Sequence, residues 1–349
     1  MARIVYAARS DIETSPTARY PPGLRGEILG SLRKASQQAD DAARRQFHPT
    51  LAATRYYDYP SPSVIDGTLW LDDTDLLTVN TLTVAGTVIS SADYVLEPVN
   101  DGPPYQAIRI LDTSSSSWGS GDSRFRAIQV DADIGYTEET RAAGTLTLAP
   151  TGTAGTTFTG ADPTKVDVGH LAKINDEWVN VTGRSFLDSG ATITGALTDS
   201  VTDRTLSVSS AAGLVEGETL AIDFEEMTIR RIDGTSVLVE RATGGTTLAA
   251  HSGGAGFDRW NSYTVERAVI GSTAATHNND DAVAVWVPPP LARELVIATA
   301  ITDLQQHSSA YARTVGSGEA EREFKGVGLK DTRDQFDRWL RRKRLIGSF

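Results

Sequence analysis

Val239-Glu240-Arg241-Ala242-Thr243-Gly244-Gly245-Thr246-Thr247-Leu248-Ala249-Ala250-His251 is matched without gaps, 26 residues further on, by Val265-Glu266-Arg267-Ala268-Val269-Ile270-Gly271-Ser272-Thr273-Ala274-Ala275-Thr276-His277, with eight of thirteen positions identical. Chance is a poor explanation for that, so the chain carries two copies of one structural unit. The preceding halves pair as well. Glu216-Gly217-Glu218-Thr219-Leu220-Ala221-Ile222-Asp223-Phe224-Glu225-Glu226-Met227-Thr228-Ile229 leads into the first copy. Its counterpart, Val168-Gly169-His170-Leu171-Ala172-Lys173-Ile174-Asn175-Asp176-Glu177-Trp178-Val179-Asn180-Val181, lies far upstream with no second half beside it. Nesting accounts for this order: an outer barrel-like unit (144–186 plus 262–286) is interrupted by a second one (190–258). Each reads as strand, Gly turn, strand bearing Glu, hairpin and closing strand with a Gly-Thr turn. The repeated Arg241, Gly245, Thr247 and His251, and Arg267, Gly271, Thr273 and His277, fit a structural device that holds this turn. The other reading, a ligand site, needs more convergent polar groups.

Outward from the repeat, residues 138–287 are rich in Thr, Gly, Ala and Val with almost no helical period, and Pro288-Pro289-Pro290 ends them. Helical spacing then returns, with Leu291, Leu295, Ala298, Ile301 and Leu304 on one face. A last helix over about 330–345 carries Phe336, Trp339 and Leu340. In the first 137 residues, Leu24, Ile28, Leu32, Ala35, Ala39, Ala42 and Phe47 mark an amphipathic helix over about 23–47. After His48-Pro49, alternating β-branched runs such as Leu76-Leu77-Thr78-Val79-Asn80-Thr81-Leu82-Thr83-Val84 predict short strands and hairpins. The expected fold class is therefore α+β. A small core of about three helices and short hairpins (1–137 with 288–349) is interrupted by an all-β insertion (138–287) of small barrel-like units, one nested in the other.

Composition narrows the function. Forty per cent hydrophobic and 22% charged residues are ordinary for a globular chain of 349 residues, and the formal charge is −12. An acidic chain lacks the electropositive face that sequence-independent DNA binding needs, although DNA can pass an acidic wall without sticking. There is no cysteine, hence no disulfide, thiolate ligand or thiol nucleophile. The most apolar helical run, 291–304, contains Arg293, Glu294 and Asp303 and is shorter than the roughly 20 residues of a membrane span. The histidines His48, His170, His251, His277 and His307 form no HExxH pattern. No phosphate-binding loop, nucleophile elbow or EF-hand spacing occurs, so neither an enzyme nor a cofactor is expected. Arg338, Trp339, Arg341, Arg342, Lys343 and Arg344 form a basic end in an acidic chain. They read either as a solvated helix end or as a docking peg for an acidic partner surface.

The block Ala42-Ala43-Arg44-Arg45-Gln46-Phe47-His48-Pro49, the run Arg55-Tyr56-Tyr57-Asp58, Leu69-Trp70-Leu71-Asp72-Asp73, and Ala92 to Pro98 through Pro103-Pro104-Tyr105 together resemble head–tail connector (adaptor) proteins of siphophages, particularly those of actinobacterial phages. The stretch from Ala298-Thr299-Ala300-Ile301 through Phe324-Lys325-Gly326-Val327-Gly328 to the basic end resembles the same family. The likeness covers roughly 20–137 and 288–345, and the chain departs from it in its long insertion. The resemblance implies a virion protein at the neck: a ring of copies, commonly twelve, under the portal protein, with a further neck or tail-completion protein below and DNA crossing the lumen. It would give the basic end to the portal. The loop with Arg313, Glu319, Glu321, Arg322, Phe324 and Lys325 would meet the tail side or the next subunit. The runner-up is a tail-associated or baseplate-type protein whose β modules grip a host surface.

Overall fold

The computed structural model describes residues 3–14, 24–71, 74–308, 314–315, 322–323 and 327–344. Helices α1 (Arg9–Glu13) and α2 (Ile28–Ala43) come first. Strands β1 (Thr50–Tyr57), β2 (Val64–Ile65), β3 (Thr68–Trp70), β4 (Leu76–Val84), β5 (Thr87–Ile89), β6 (Tyr94–Glu97), β7 (Ala107–Ile110) and β8 (Ile128–Ile134) follow. They form two four-stranded sheets, ordered β1-β8-β4-β5 and β2-β3-β7-β6. β8 shows why: Ile128, Val130, Ala132 and Ile134 are buried and the residues between them are not, the two-residue period of a strand with one face on a core. That core also takes Leu69, Leu76, Leu82, Ile108 and Trp118.

The next ten strands are β9 (Thr140–Leu148), β10 (Thr157–Gly160), β11 (Leu171–Ile174), β12 (Glu177–Thr192), β13 (Thr205–Ser207), β14 (Thr219–Ile222), β15 (Glu225–Asp233), β16 (Ser236–Thr243), β17 (Gly256–Glu266) and β18 (Ala282–Trp286). They are ordered β10-β9-β18-β11-β12-β17-β14-β15-β16-β13, and β10 also pairs with β17. That extra pairing closes β9, β10, β11, β12, β17 and β18 into a six-stranded barrel. A bridge from Ile193, just past β12, to Val208, just past β13, closes a second ring through β17, β14, β15, β16 and β13. The two long strands β12 and β17 run through both barrels, bulged at several points along their shared ladder. Each barrel keeps its own interior: Phe158, Val166, Ile174, Val181, Tyr263 and Val285 in one, Ile193, Leu220, Met227, Ile229, Val239 and Phe257 in the other.

After the barrels come α3 (Pro290–Ser308), the paired strands β19 (Thr314–Val315) and β20 (Arg322–Glu323), and α4 (Val327–Arg344). α2 buries Ile28, Leu32, Ala35, Ala39 and Ala43 at helical spacing and ends where Arg44 turns left-handed at φ 52°. α3 packs on α2 and α4, and Lys34 and Ser31 of α2 reach Asp303 of α3. Phe47 sits at the hub, its ring edge-on to Tyr6 at 5.6 Å and stacked on Trp339 at 5.8 Å. Residues 4–8 are buried and thread between the helices and the outer barrel. There the Tyr6 amide donates to Ser36 Oγ, Tyr6 Oη donates to Asp40, and the Arg9 amide donates to the Val168 carbonyl. Beside burial, the Asp40 charge pushes the Tyr6 hydroxyl up, so it stays a donor.

The expected α+β class with a helical core is corrected here. Strand makes up 39% of the described residues and helix only 18%. The helices do not enclose a core of their own: their cluster is completed by Leu171, Trp178, Val269 and Trp286 from the barrel region. The physical reason is area. Three helices leave one side of their shared apolar surface open, and the outer wall of a barrel covers it. The face assigned to α3 also shifts. Ala292, Leu295, Val296, Ala300, Ile301 and Leu304 are buried, whereas Leu291 and Ala298 are only half-buried, because neighbours press on α3 from several sides.

Candidate functional site

The repeat builds two matched side-chain locks. In the nested barrel, Glu225 opens β15 with its side chain fully buried. Arg241 on the neighbouring β16 donates to both its oxygens, Nε to Oε1 at 2.7 Å and Nη2 to Oε2 at 2.7 Å. The backbone amides of Ala242 and Ala249 add bonds of 3.0 Å each, and His251 Nε2 lies 3.0 Å from Oε2. The other ring nitrogen of His251 meets Asp223 at 2.9 Å, so both contacts become hydrogen bonds only when the imidazole carries two protons. Arg241 spends its remaining donors on the carbonyls of Thr198, Asp203 and Ala249, which pins the loop 198–203 and the turn 243–249 to the barrel wall.

The outer barrel repeats the arrangement around Glu177. Arg267 Nε donates to Oε1 at 2.9 Å and Nη2 to Oε2 at 2.5 Å. The amides of Ala268 and Ala275 contribute 3.1 and 2.9 Å, and His277 Nε2 lies at 2.9 Å. Arg267 also binds the carbonyls of Gly152, Gly155 and Ala275. The backbone matches too: Asn175 and Asp223 turn left-handed at φ 53° and 54°, Ala268 and Ala242 at 52° and 53°. Burial opposes the charge on both carboxyls, yet guanidinium, amides and imidazole together hold each down to about 2. Both stay ionised at neutral pH and act as fixed anionic hubs. All their lone pairs are engaged, so the arrangement ties chain segments together and offers no open coordination position for a substrate.

The structure thus joins Arg241 with His251 and Arg267 with His277. Gly245 and Gly271 lie in the turns at φ 81° and 91°. A side chain at Gly271 would come within 2.4 Å of the Leu51 carbonyl, so this turn also seats the barrel against β1. Thr247 and Thr273 are exposed. The hydroxyls that hold the turns belong to their neighbours: Thr246 accepts from the Glu226 amide and donates to the Thr243 carbonyl, and Ser272 does the same for Trp178 and Val269. The residues the repeat left unnominated are the hubs themselves, Glu177 and Glu225, although pairing 168–181 with 216–229 sets one under the other.

At the basic end, Arg338 is exposed on α4, while Trp339 is half-buried, stacked on Phe47 and edge-on to Tyr136 at 5.3 Å. Its ring belongs to the helical layer. The helix backbone continues through Arg341, Arg342, Lys343 and Arg344, whose side chains lie outside the described residues. So do Arg313, Glu319, Glu321, Phe324 and Lys325, and the side chain of Arg322 in β20. Among the described residues no group of three or more His, Asp or Glu is placed to hold a metal, and no helix is long and apolar enough to cross a membrane. No family model matches the chain, and neither curated proteins nor solved structures gave a significant match.

Proposed function

We propose that the chain is a virion structural protein, the head–tail adaptor of a long-tailed phage. In this reading it assembles as a ring of about a dozen copies between the portal and the next neck or tail component, with DNA crossing the lumen. The observation that carries the reading is the return of α3 and α4 to α2. Segments resembling the adaptor family at both ends of the chain pack into one layer, joined by Lys34–Asp303 and by the rings around Phe47. That layer is completed by Leu171, Trp178, Val269 and Trp286 of the barrel region. Two further features fit. The chain has a formal charge of −12, which suits a channel wall that DNA must not stick to. The barrels spend their buried charges on internal locks, as a static scaffold would.

The host-surface alternative calls for clustered exposed aromatics in the insertion. Of Phe158, Trp178, Phe186, Phe224, Phe257, Trp260, Tyr263 and Trp286, only Phe224 is exposed, at 95%. The test is co-sedimentation with portal-bearing capsids of the phage that encodes the chain. The full chain should bind, and a version ending after Leu340, without the basic end, should not. A full chain that ignores portal-bearing capsids would overturn the adaptor reading.

A further inference from the structure

The two barrels serve as each other's control, and at one end they differ. His170 of the outer barrel and Glu218 of the nested one occupy matched positions 48 residues apart. Each accepts a backbone N–H from three residues earlier, Asp167 to His170 Nδ1 at 3.0 Å and Val215 to Glu218 Oε2 at 3.2 Å. Glu218 is fully buried and finished internally, with Arg259 donating to both its oxygens at 2.8 and 3.0 Å. The nested barrel therefore supplies both a carboxylate and its guanidinium. The outer barrel has no carboxylate at that position. It has instead a cavity of about 220 Å³ lined by His170, Arg141, Arg293, Asp11, Trp286 and Pro290, among others.

The polar groups facing this cavity are donors apart from the Asp11 carboxylate. Because His170 Nδ1 accepts the Asp167 N–H, the ring proton sits on Nε2, which has no hydrogen-bond partner among the described residues. Burial, with Arg141 and Arg293 nearby, takes the imidazole down to about 4 despite Asp11 and Asp167, so it is a neutral donor at pH 7. Arg141 is exposed, has no carboxylate partner among the described residues, and makes a single long bond, to the Lys165 carbonyl at 3.4 Å. Arg293 is already paired with Asp11 at 2.6 Å. The count is two guanidiniums against one carboxylate, a local cationic excess in an acidic protein. The remaining wall, from Val5, Leu171 and Trp286 to Pro288, is apolar.

We propose that this cavity binds a carboxylate group between the Arg141 guanidinium and His170 Nε2–H, with the apolar body of its carrier lying against Trp286 and Pro290. The carrier is either a small free acid or the carboxylate of a neighbouring protein chain, and the chemistry is the same for both. The inference stands apart from the adaptor reading, since it concerns this chain's own cavity whatever the protein assembles with.

The experiment titrates the full chain with acetate, propionate and benzoate, each beside its matched amide, and with a short apolar peptide bearing a free or an amidated C-terminus. Long-range ¹H–¹⁵N spectra of the histidines report binding. The acids should move the His170 signals and leave those of His251, His277 and His307 in place, and the amides should move nothing. Arg141→Gln should weaken binding by about tenfold, the loss of one charge-assisted hydrogen bond. Its thermal midpoint without ligand should match the parent's, because Arg141 is exposed. A free-terminus peptide binding more tightly than the small acids identifies a protein carrier, and the reverse order a free acid. Still His170 signals under every acid, or equal binding by acids and amides, or by the Arg141→Gln chain and its parent, overturns the proposal.

Discussion

Replacing Glu225 by Gln removes a charge and keeps the shape, so it isolates what the lock contributes. The carboxylate receives two bonds from Arg241, one each from the Ala242 and Ala249 amides, and one from His251. Gln offers one acceptor oxygen and turns its NH₂ toward groups that are themselves donors. The Arg241 side chain, 2% exposed, then keeps at most one bond to residue 225 beside the carbonyls of Thr198, Asp203 and Ala249, around an uncompensated charge. Breaking a buried pair from one side costs about 3–5 kcal/mol. Urea unfolding followed by circular dichroism should show that loss, and hydrogen exchange should place it first in residues 190–258. The control is Glu240→Gln. Glu240 pairs with Arg230 at the surface, both about half exposed, and that pair should contribute less than about 1 kcal/mol. A Glu225→Gln loss as small as the Glu240→Gln loss would refute the reasoning.

The locks also set an acid limit. Glu177 and Glu225 are held at about 2 against an ordinary 4.5, so their contribution is complete above pH 4.5 and disappears as pH falls through about 2. Urea midpoints of the parent and Glu225→Gln chains should converge over that window, and a constant gap down to pH 2 would count against it. Gly271→Ala combines a positive φ with a contact of 2.4 Å to the Leu51 carbonyl, whereas Gly190→Ala at φ 69° meets open space. Strain at such a backbone position costs about 1–3 kcal/mol, and only the first substitution adds a backbone clash, so its drop in thermal midpoint should be clearly the larger. Phe47→Ala removes the ring that meets Tyr6, Tyr136, Phe336 and Trp339, and should cost about 3–5 kcal/mol. Replacing 190–258 by a short Asn-Gly turn should leave the outer barrel folded, with the Glu177–Arg267 lock seen in hydrogen exchange; aggregation of the product would contradict independent barrel cores.

Local pattern carried the single elements. Alternation over 76–84 marks β4, and helical spacing from Leu24 to Phe47 brackets α2. Long-range closure was far less legible. Glu177 meets Arg267 and His277 after separations of 90 and 100 residues, and only the internal repeat shows that such a partner exists. β12 and β17 belong to both barrels, and their bulges break the two-residue period that would announce strands of 16 and 11 residues. Identity within the repeat does not mark the groups that hold the turns. Thr247 and Thr273 are identical yet exposed, while the working hydroxyls, Thr246 and Ser272, differ in residue type and agree in chemistry. The helical layer is hard to read for a related reason, since its apolar face is completed by Leu171, Trp178 and Trp286 of the barrel, far along the chain.

The central claim is a place in the virion, and it is tested most directly by electron microscopy of particles labelled with a gold-conjugated antibody against residues 190–258. The adaptor reading predicts gold at the neck, between head and tail. Gold at the tail tip, or antigen absent even from denatured virions, would contradict it.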